Sequence, residues 1–507
     1  MIISLVRVPT IIGESANTAP ICPPIGLAYL NGVIDPKKWD INIIDSIGNY
    51  PYLRKTKFNG KSYQIFGQTI EEIVENISVN TDIILVSVMF TQDWPYARKL
   101  IQHLRFKSPH TIIIAGGEHI TAAPEFNLLS TPELDCCVIG EGEETLKEIL
   151  DKFYQLHSLP QDIPGTCLLN TKGEYIQNKR RPRINHINDI SWPNWTDFPL
   201  KNYFKGGHGF GVNLGRTMPI IASRGCPFQC TFCSSPLMWT TRWSARSPED
   251  VIKEIKFYIQ RYNVSNFDFY DLTAIIRKDW ILSFCQLLIR EKIKITWQLP
   301  SGTRSEAIDS EVAALLYESG CRNLSFAPES GSERLLKIIK KKIQLSRMYE
   351  SMKSCVKNKL SIKANIICGF PEETFFDLIK TYKLILKMAW IGIDDMSVNQ
   401  FTPYPGSELF EKLIKENQLK MDETYFESLT LYSSMTKAYS FNKNMPNFTI
   451  ISFKFISTFT FYAISMLIYP KKFIRLVQNI LQGTETTRME KTLHSYLFRF
   501  YKNREAA

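Results

Sequence analysis

The 507-residue chain is 44% hydrophobic and 22% charged, long enough for about three domains, which excludes a largely disordered or fibrous protein. Its formal charge of +11 is unevenly placed: residues 431–507 hold 11 Lys/Arg against 3 Asp/Glu, so the first 430 residues carry only +3. Eleven cysteines, an odd number scattered along the chain, make no disulfide framework. The N-terminal Met-Ile-Ile-Ser-Leu-Val-Arg-Val-Pro reads as a first β-strand rather than a signal peptide, so a cytoplasmic location is expected.

In chain order, residues 2–8, 41–45, 83–88, 111–115 and 136–139 are short β-rich apolar runs, with helical patterns at 26–34, 69–79, 94–105 and 144–154 between them. The alternation predicts a doubly wound, Rossmann-like parallel sheet over residues 1–160, which binds ligands at the carboxyl ends of its strands. Gly26, Ser87, Thr91, Gly116, Gly117, Glu118, His119, Gly140, Glu141 and Gly142 fall at those ends. Residues 161–214, rich in Pro, Asn, Asp and Trp, read as a linker. A second alternating region follows over 215–425. Strands at 218–223, 267–270, 295–299, 324–327, 362–367 and 395–401 are separated by helices at 248–262, 280–291, 309–319, 332–340, 345–358 and 373–389, which predicts a partial (β/α)6 barrel with its chemistry at the C-terminal strand ends. The remainder, 426–507, is expected to be helical, basic and aromatic.

The strongest local signal is Ser223-Arg224-Gly225-Cys226-Pro227-Phe228-Gln229-Cys230-Thr231-Phe232-Cys233, a C-x3-C-x2-C loop directly after the first barrel strand. Thiolates ligate iron–sulfur clusters. Three of them can hold three irons of a [4Fe–4S] cluster and leave the fourth open, whereas a structural zinc site normally wants four ligands in two pairs. Gly225 and Pro227 suit a tight wrap, and Phe232 offers a flat surface to an adenine.

With this spacing on this scaffold, residues 215–425 resemble the radical S-adenosylmethionine (SAM) enzymes. Pro328-Glu329-Ser330-Gly331-Ser332 after the fourth strand is similar to the family's Glu-Ser-Gly contact, and Gly369-Phe370-Pro371-Glu372-Glu373 after the fifth to its Gly-x-Pro-Gly-Glu loop, with Glu372 in place of the second glycine. Asp271 matches an acidic position, although the neighbouring acid is Leu272 here, and Thr402-Pro403-Tyr404-Pro405-Gly406-Ser407 matches the closing loop. The resemblance implies Cys226, Cys230 and Cys233 as cluster ligands and Phe232, Asp271, Glu329, Ser330, Gly331, Gly369, Phe370 and Pro371 at SAM. It also implies reductive SAM cleavage to a 5′-deoxyadenosyl radical, with electrons from a flavodoxin- or ferredoxin-type donor. Tyr270, Asp271, Gln298, Ser301 and Arg304, at strand ends, are further candidates for positioning cofactor or substrate.

Pro23-Pro24-Ile25-Gly26, Gly116-Gly117-Glu118-His119 and Gly140-Glu141-Gly142-Glu143 recur in the order seen in cobalamin-binding domains fused to radical enzymes. That resemblance implies cobalamin at Gly26, Ser87, Thr91, Gly116, Gly117, His119, Gly140, Glu141 and Gly142, though the Asp-x-His-x-x-Gly motif of a lower axial histidine is absent. The function implied is cobalamin-dependent methylation of an unactivated carbon. The alternatives are a radical oxidative cyclase or rearrangement enzyme without methyl transfer, and a non-catalytic cobalamin or iron–sulfur sensor. No RNA-binding module is evident, so no nucleic-acid partner is expected. The uncharged run 455–470 is only 16 residues, short of the ~20 a spanning helix needs. With its flanking cations it suits either an interfacial helix contacting the membrane, which favours a lipid over another small-molecule substrate, or a helical cap over the barrel mouth.

Overall fold

A computed structural model describes residues 1–13, 21–58, 60–303 and 308–494. Five parallel strands, β1 (Ile2–Arg7), β2 (Asp40–Asp45), β3 (Ile83–Ser87), β4 (Ile112–Gly116) and β5 (Cys136–Val138), lie in spatial order β5-β4-β3-β1-β2 within a seven-stranded sheet. Both faces are covered: Ile3 and Leu5 point to one layer and Val6 to the other, as a buried parallel sheet requires. The strand order reverses between β1 and β3, which opens a crevice at their carboxyl ends.

The stretch read as a linker is in part an extension of this sheet. Strands β6 (Thr166–Leu169) and β7 (Tyr175–Gln177) add to its edge antiparallel. Further on, Trp195 and Phe198 are buried, and the Trp195 indole donates to the Tyr258 hydroxyl at 3.0 Å. Apolar anchors spread among prolines and asparagines make a packed connection without a periodic signature. A three-stranded antiparallel sheet (Thr10–Ile12, Leu53–Phe58, Lys61–Phe66) is likewise an element the strand–helix pattern did not predict.

The second sheet is the expected six-stranded partial barrel, wholly parallel and in chain order: β8 (Thr217–Ile220), β9 (Asn266–Phe269), β10 (Thr296–Thr303), β11 (Cys321–Glu329), β12 (Ser361–Cys368) and β13 (Asp395–Gln400). Each strand has a period of two. On β12, Ile362, Ala364, Ile366 and Cys368 pack under the outer helices, while Lys363, Asn365 and Ile367 face the lumen. On β13, Met396 and Val398 are core, and the Ser397 hydroxyl donates to its paired neighbour Asn365 on β12 at 2.8 Å. The lumen is therefore lined largely by polar side chains.

The C-terminal region contains helices Asn447–Ile468 and Pro470–Gln482. The first is longer than the 16-residue run implied. Its 22 residues pass through Lys454, whose ammonium turns inward to the carbonyl oxygens of Tyr432 and Ser434, and it is long and apolar enough to cross a membrane by length and composition. It lies instead along helix Phe375–Ile391 and strand β13.

Candidate functional site

The Cys226–Cys233 segment hangs from a short antiparallel hairpin, Ser223–Arg224 against Ser244–Ala245, at the end of β8. Gly225 has φ +89°, and a Cβ there would meet the Arg242 carbonyl at 2.2 Å, so only glycine permits this turn. The Thr231 amide donates to the Ile339 carbonyl (3.0 Å), the Leu409 amide to the Thr231 carbonyl (2.8 Å), and the Cys233 amide to the Cys230 carbonyl (3.1 Å). Burial pushes the Cys233 thiol up to about 12, with Cys230 and Cys226 adding to the effect. Among the described residues no three His, Cys, Asp or Glu side chains gather as a single-ion cage. Three thiols on one loop, near one another but not converging on one point, fit a cluster whose irons each take a separate thiolate.

Around this loop stand the ends of β9, β11 and β12. Glu329 ends β11 with φ +61°, a conformation a non-glycine residue adopts only when its surroundings enforce it. One of its carboxylate oxygens accepts from the Lys341 ammonium at 2.9 Å. Lys341 also stands 6.0 Å from the centre of the Phe232 ring, and Phe232 meets Phe370 edge-on at 5.6 Å. Ser330 is fully buried with its hydroxyl bonded to Thr381 (2.9 Å), and the Gly331 amide donates to the same Thr381 oxygen (3.0 Å). Gly369 takes φ +84°, its amide donates to buried Glu373, and Pro371 continues the loop. Burial pushes the Glu373 carboxyl up to about 8. Asp271 engages both oxygens with the preceding strand end, accepting from the Ser223 hydroxyl (2.5 Å) and the Ala222 amide (3.1 Å), and burial raises it to about 6. It braces the root of the cysteine loop.

The carboxyl edge of the N-terminal sheet is turned onto the same loop. Arg224 donates to Glu141 (3.0 Å) and Glu143 (2.6 Å), and Arg183 reaches the other oxygen of Glu141 (3.2 Å). Burial opposes the charge on Glu141, but the two guanidiniums outweigh it and hold its carboxyl below the usual range. The Ser234 hydroxyl, beside Cys233, donates to Glu118 at 2.9 Å. Gly117 (φ +117°) presses on the Val88 backbone, whereas Gly26 and Gly140 look onto open space. Thr121, whose hydroxyl accepts from the Gly140 amide at 3.0 Å, ties two of the glycine loops together. His119 is enclosed between Thr91 (3.2 Å) and Asn127 (3.1 Å), and burial lowers it to about 3, so it is a neutral internal residue. The backbone at Gly26 and Gly140 is thus open, while both His119 ring nitrogens are engaged internally.

The structure therefore brings together the cysteine loop, Phe232, Glu329, Phe370 and the Gly116–Glu118 and Gly140–Glu143 loops. It separates others. Gln298 points into the lumen, where its side-chain amide spans the Val212 amide and carbonyl (3.1 and 2.8 Å). The Tyr270 hydroxyl faces Cys22, Ser301 is half-buried near the end of β10, Ser87 and Gly142 stay half-buried at their strand ends, and Arg304 lies outside the described residues. The sequence reading missed Lys341, Arg224 with Glu143, and Asn442, which donates to the Phe370 and Glu373 carbonyls at 2.7 and 2.8 Å. A lone lysine or asparagine far along the chain carries no local signal. Arg224 stood inside the quoted motif, and a cation two residues before Cys226 was the available clue.

Residues 220–385 match the radical SAM superfamily model, and residues 15–150 the B12 binding domain model. The chain is 29% identical over 399 residues to an uncharacterized methyltransferase of Pyrococcus horikoshii, covering 78% of this chain and 80% of that one. It is 25% identical over 405 residues to an anaerobic magnesium-protoporphyrin IX monomethyl ester cyclase of Cereibacter sphaeroides, covering 78% and 61%. The solved structure of the cobalamin-dependent SAM radical enzyme OxsB, with aqua-cobalamin and SAM bound, superimposes with TM-score 0.65 at 14% identity, over 99% of this chain and 75% of that one.

Proposed function

Taking as premise that this chain is a radical SAM enzyme with an N-terminal B12-binding domain, we propose that it methylates an unactivated carbon of a small-molecule substrate held in the barrel lumen. The observation that carries this reading is the join between the two carboxyl edges: Arg224, adjacent to the cysteine loop, is bound by Glu141 and Glu143 of the glycine loop. Cys226, Cys230 and Cys233 would hold a [4Fe–4S] cluster supplying the electron for SAM cleavage, and the loops at Gly26, Gly116–Gly117 and Gly140–Gly142 a cobalamin carrying the methyl group. Lys341 aims the Glu329 carboxylate, so that its second oxygen, unpartnered among the described residues, can receive the amino or ribose groups of SAM. Phe232, fixed by Phe370, offers its ring to the adenine. Asp271 and Thr231 hold the cysteine loop from below, and a flavodoxin- or ferredoxin-type protein is the expected electron donor.

Anaerobically reconstituted protein should form S-adenosylhomocysteine together with 5′-deoxyadenosine. Deoxyadenosine without S-adenosylhomocysteine would move the reading to a radical cyclisation or rearrangement, the Cereibacter relative being named a cyclase. Changing any one of the three cysteines to Ala should remove the visible cluster absorption.

A second feature supports peripheral docking of this enzyme on an anionic membrane. Helix Asn447–Ile468 turns Ile450, Lys454, Ser457, Phe461 and Ser465 onto the protein and leaves Phe448, Phe455, Ile456, Phe459 and Leu467 exposed. Phe375, Phe376 and Trp390 of the neighbouring helix and Phe473 and Ile474 of the next continue this surface, with exposed Lys380, Lys383, Lys387 and Lys471 on the same helices. Apolar rings with flanking cations suit insertion at the headgroup level, and the polar inner stripe ties the helix to the barrel.

A further inference from the structure

The lower lumen holds three cations that the reaction outlined above does not use. Lys363 projects inward from β12, level with Asp395 on β13 and Ser325 on β11. The tail segment after Gly483 returns across the open barrel and brings Arg488 and Lys491 in beside it. There the Lys491 ammonium donates to the Gly209 and Gly211 carbonyls (3.1 and 2.6 Å). Two buried carboxylates lie nearby, and their oxygens are engaged by neutral donors. Asp395 accepts from the Arg488 and Met489 amides (2.6 and 3.0 Å) and the Tyr462 hydroxyl (3.4 Å), and Asp268 from the Gly211 amide (2.7 Å) and the Asn266 side chain (3.3 Å). Glu485, the third acid within reach of the field, accepts from the Asn213 amide (3.2 Å) and faces His494 (3.6 Å).

Neither the Lys363 ammonium nor the Arg488 guanidinium has an ion-pair partner among the described residues. The guanidinium lies over the Phe210 ring at 5.5 Å. Burial lowers both, Lys363 to about 8 with the Arg488 charge adding to the effect, while Asp395 opposes the shift of each and Asp268 and Glu485 oppose that of Arg488. A cation removed from water without a carboxylate in contact is costly, and here two of them, with acids nearby but bonded to neutral donors, face the lumen expected to hold a substrate. We propose that Lys363 and Arg488 form an oxyanion subsite, which anchors a phosphoryl or carboxylate group of the substrate at the end remote from the cysteine loop. The proposal rests on the lumen being the substrate chamber. Lys363 lies four residues below Ile367, roughly 13 Å of strand, so the anchored group and the reacting carbon sit at opposite ends of an elongated molecule. The C-terminal segment thereby contributes a specificity residue, Arg488, as well as closing the barrel.

The test is calorimetric titration of the full-length protein with inorganic phosphate and, separately, succinate. Saturable binding of at least one is expected. It should weaken at least tenfold in Lys363→Met and in Arg488→Gln, be partly retained in Lys363→Arg, and be unchanged in the surface control Lys357→Gln. Preference for phosphate assigns a phosphoryl substrate and preference for succinate a carboxylate. Binding unchanged in both lumen variants, or absent from the wild type, overturns the proposal. Thermal melts of each variant separate loss of binding from loss of fold. SAM cleavage read on the same preparations keeps the two readings apart: anion binding without S-adenosylhomocysteine formation counts against methyl transfer alone.

Discussion

The barrel lumen and the long tail helix both place polar groups inside, but for different ends. In the lumen, Asp268, Gln298, Asn365, Lys363 and Asp395 alternate with apolar residues that pack under the helices, so the polar face is the inside of a chamber. In helix Asn447–Ile468 the inward stripe interleaves Lys454, Ser457 and Ser465 with Ile450 and Phe461, and the outward face is the apolar one. A polar interior around a space serves a ligand. A mixed inner stripe against solid protein leaves apolar side chains on the outer face for something outside. The difference teaches that burial of polar residues has to be read together with what lies on the opposite side of the element.

The largest expected effect tests which face of the tail helix holds the fold. Phe461→Ala, at a fully buried site, should cost about 3–5 kcal/mol in denaturant unfolding, and a small loss would mean the helix is barely attached. Next is Lys454. Burial lowers it to about 8 from 10.5, so the unfolded chain binds a proton across that window and the folded one does not. Stability should therefore rise from pH 8 to pH 10.5, by at most roughly 3 kcal/mol, and the Lys454→Met variant should lack this component when its pH profile is subtracted from that of the wild type. On the lumen side, Gln298→Leu strands the Val212 amide and carbonyl and should cost about 2 kcal/mol, read as a lowered melting temperature. Glu373 carries the opposite slope from Lys454. Its folded value of about 8 exceeds 4.5, so its contribution is present at low pH and lost as pH rises through 8, and Glu373→Gln should flatten that decline. The smallest change in stability, within about 0.5 kcal/mol, is expected for Phe455→Ser with Phe459→Ser. The same pair should abolish flotation with phosphatidylserine-containing vesicles, and unaltered flotation would remove the membrane reading.

Much of this was legible in the residues. The five parallel strands of the first sheet and the six of the second, the cysteine loop and the glycines at the strand ends follow from short-range patterns, because period-two apolar runs and turn glycines are imposed by local backbone geometry. Roles that depend on partners distant in the chain were not. Glu141 stood among expected cobalamin contacts, and its carboxylate is held by Arg183 and Arg224. Asp271, expected at SAM, has both oxygens bonded to the root of the cysteine loop, and Gln298, expected at the barrel mouth, is tied to Val212. In each case the side chain's chemistry was apparent and its partner was not.

The opening charge count shows the same division. The sequence by itself determined that the excess of positive charge lies in the last 77 residues, that three of eleven cysteines share a loop, and that two α/β units follow one another. Only the tertiary structure decided where those tail charges go: Lys454 onto carbonyl oxygens, Arg475 onto Asp394 and Glu490, Arg488 and Lys491 into the barrel, and Lys471 to solvent. Charge is a property of a residue, whereas its work depends on the dielectric and the neighbours that a distant segment supplies when the chain closes on itself.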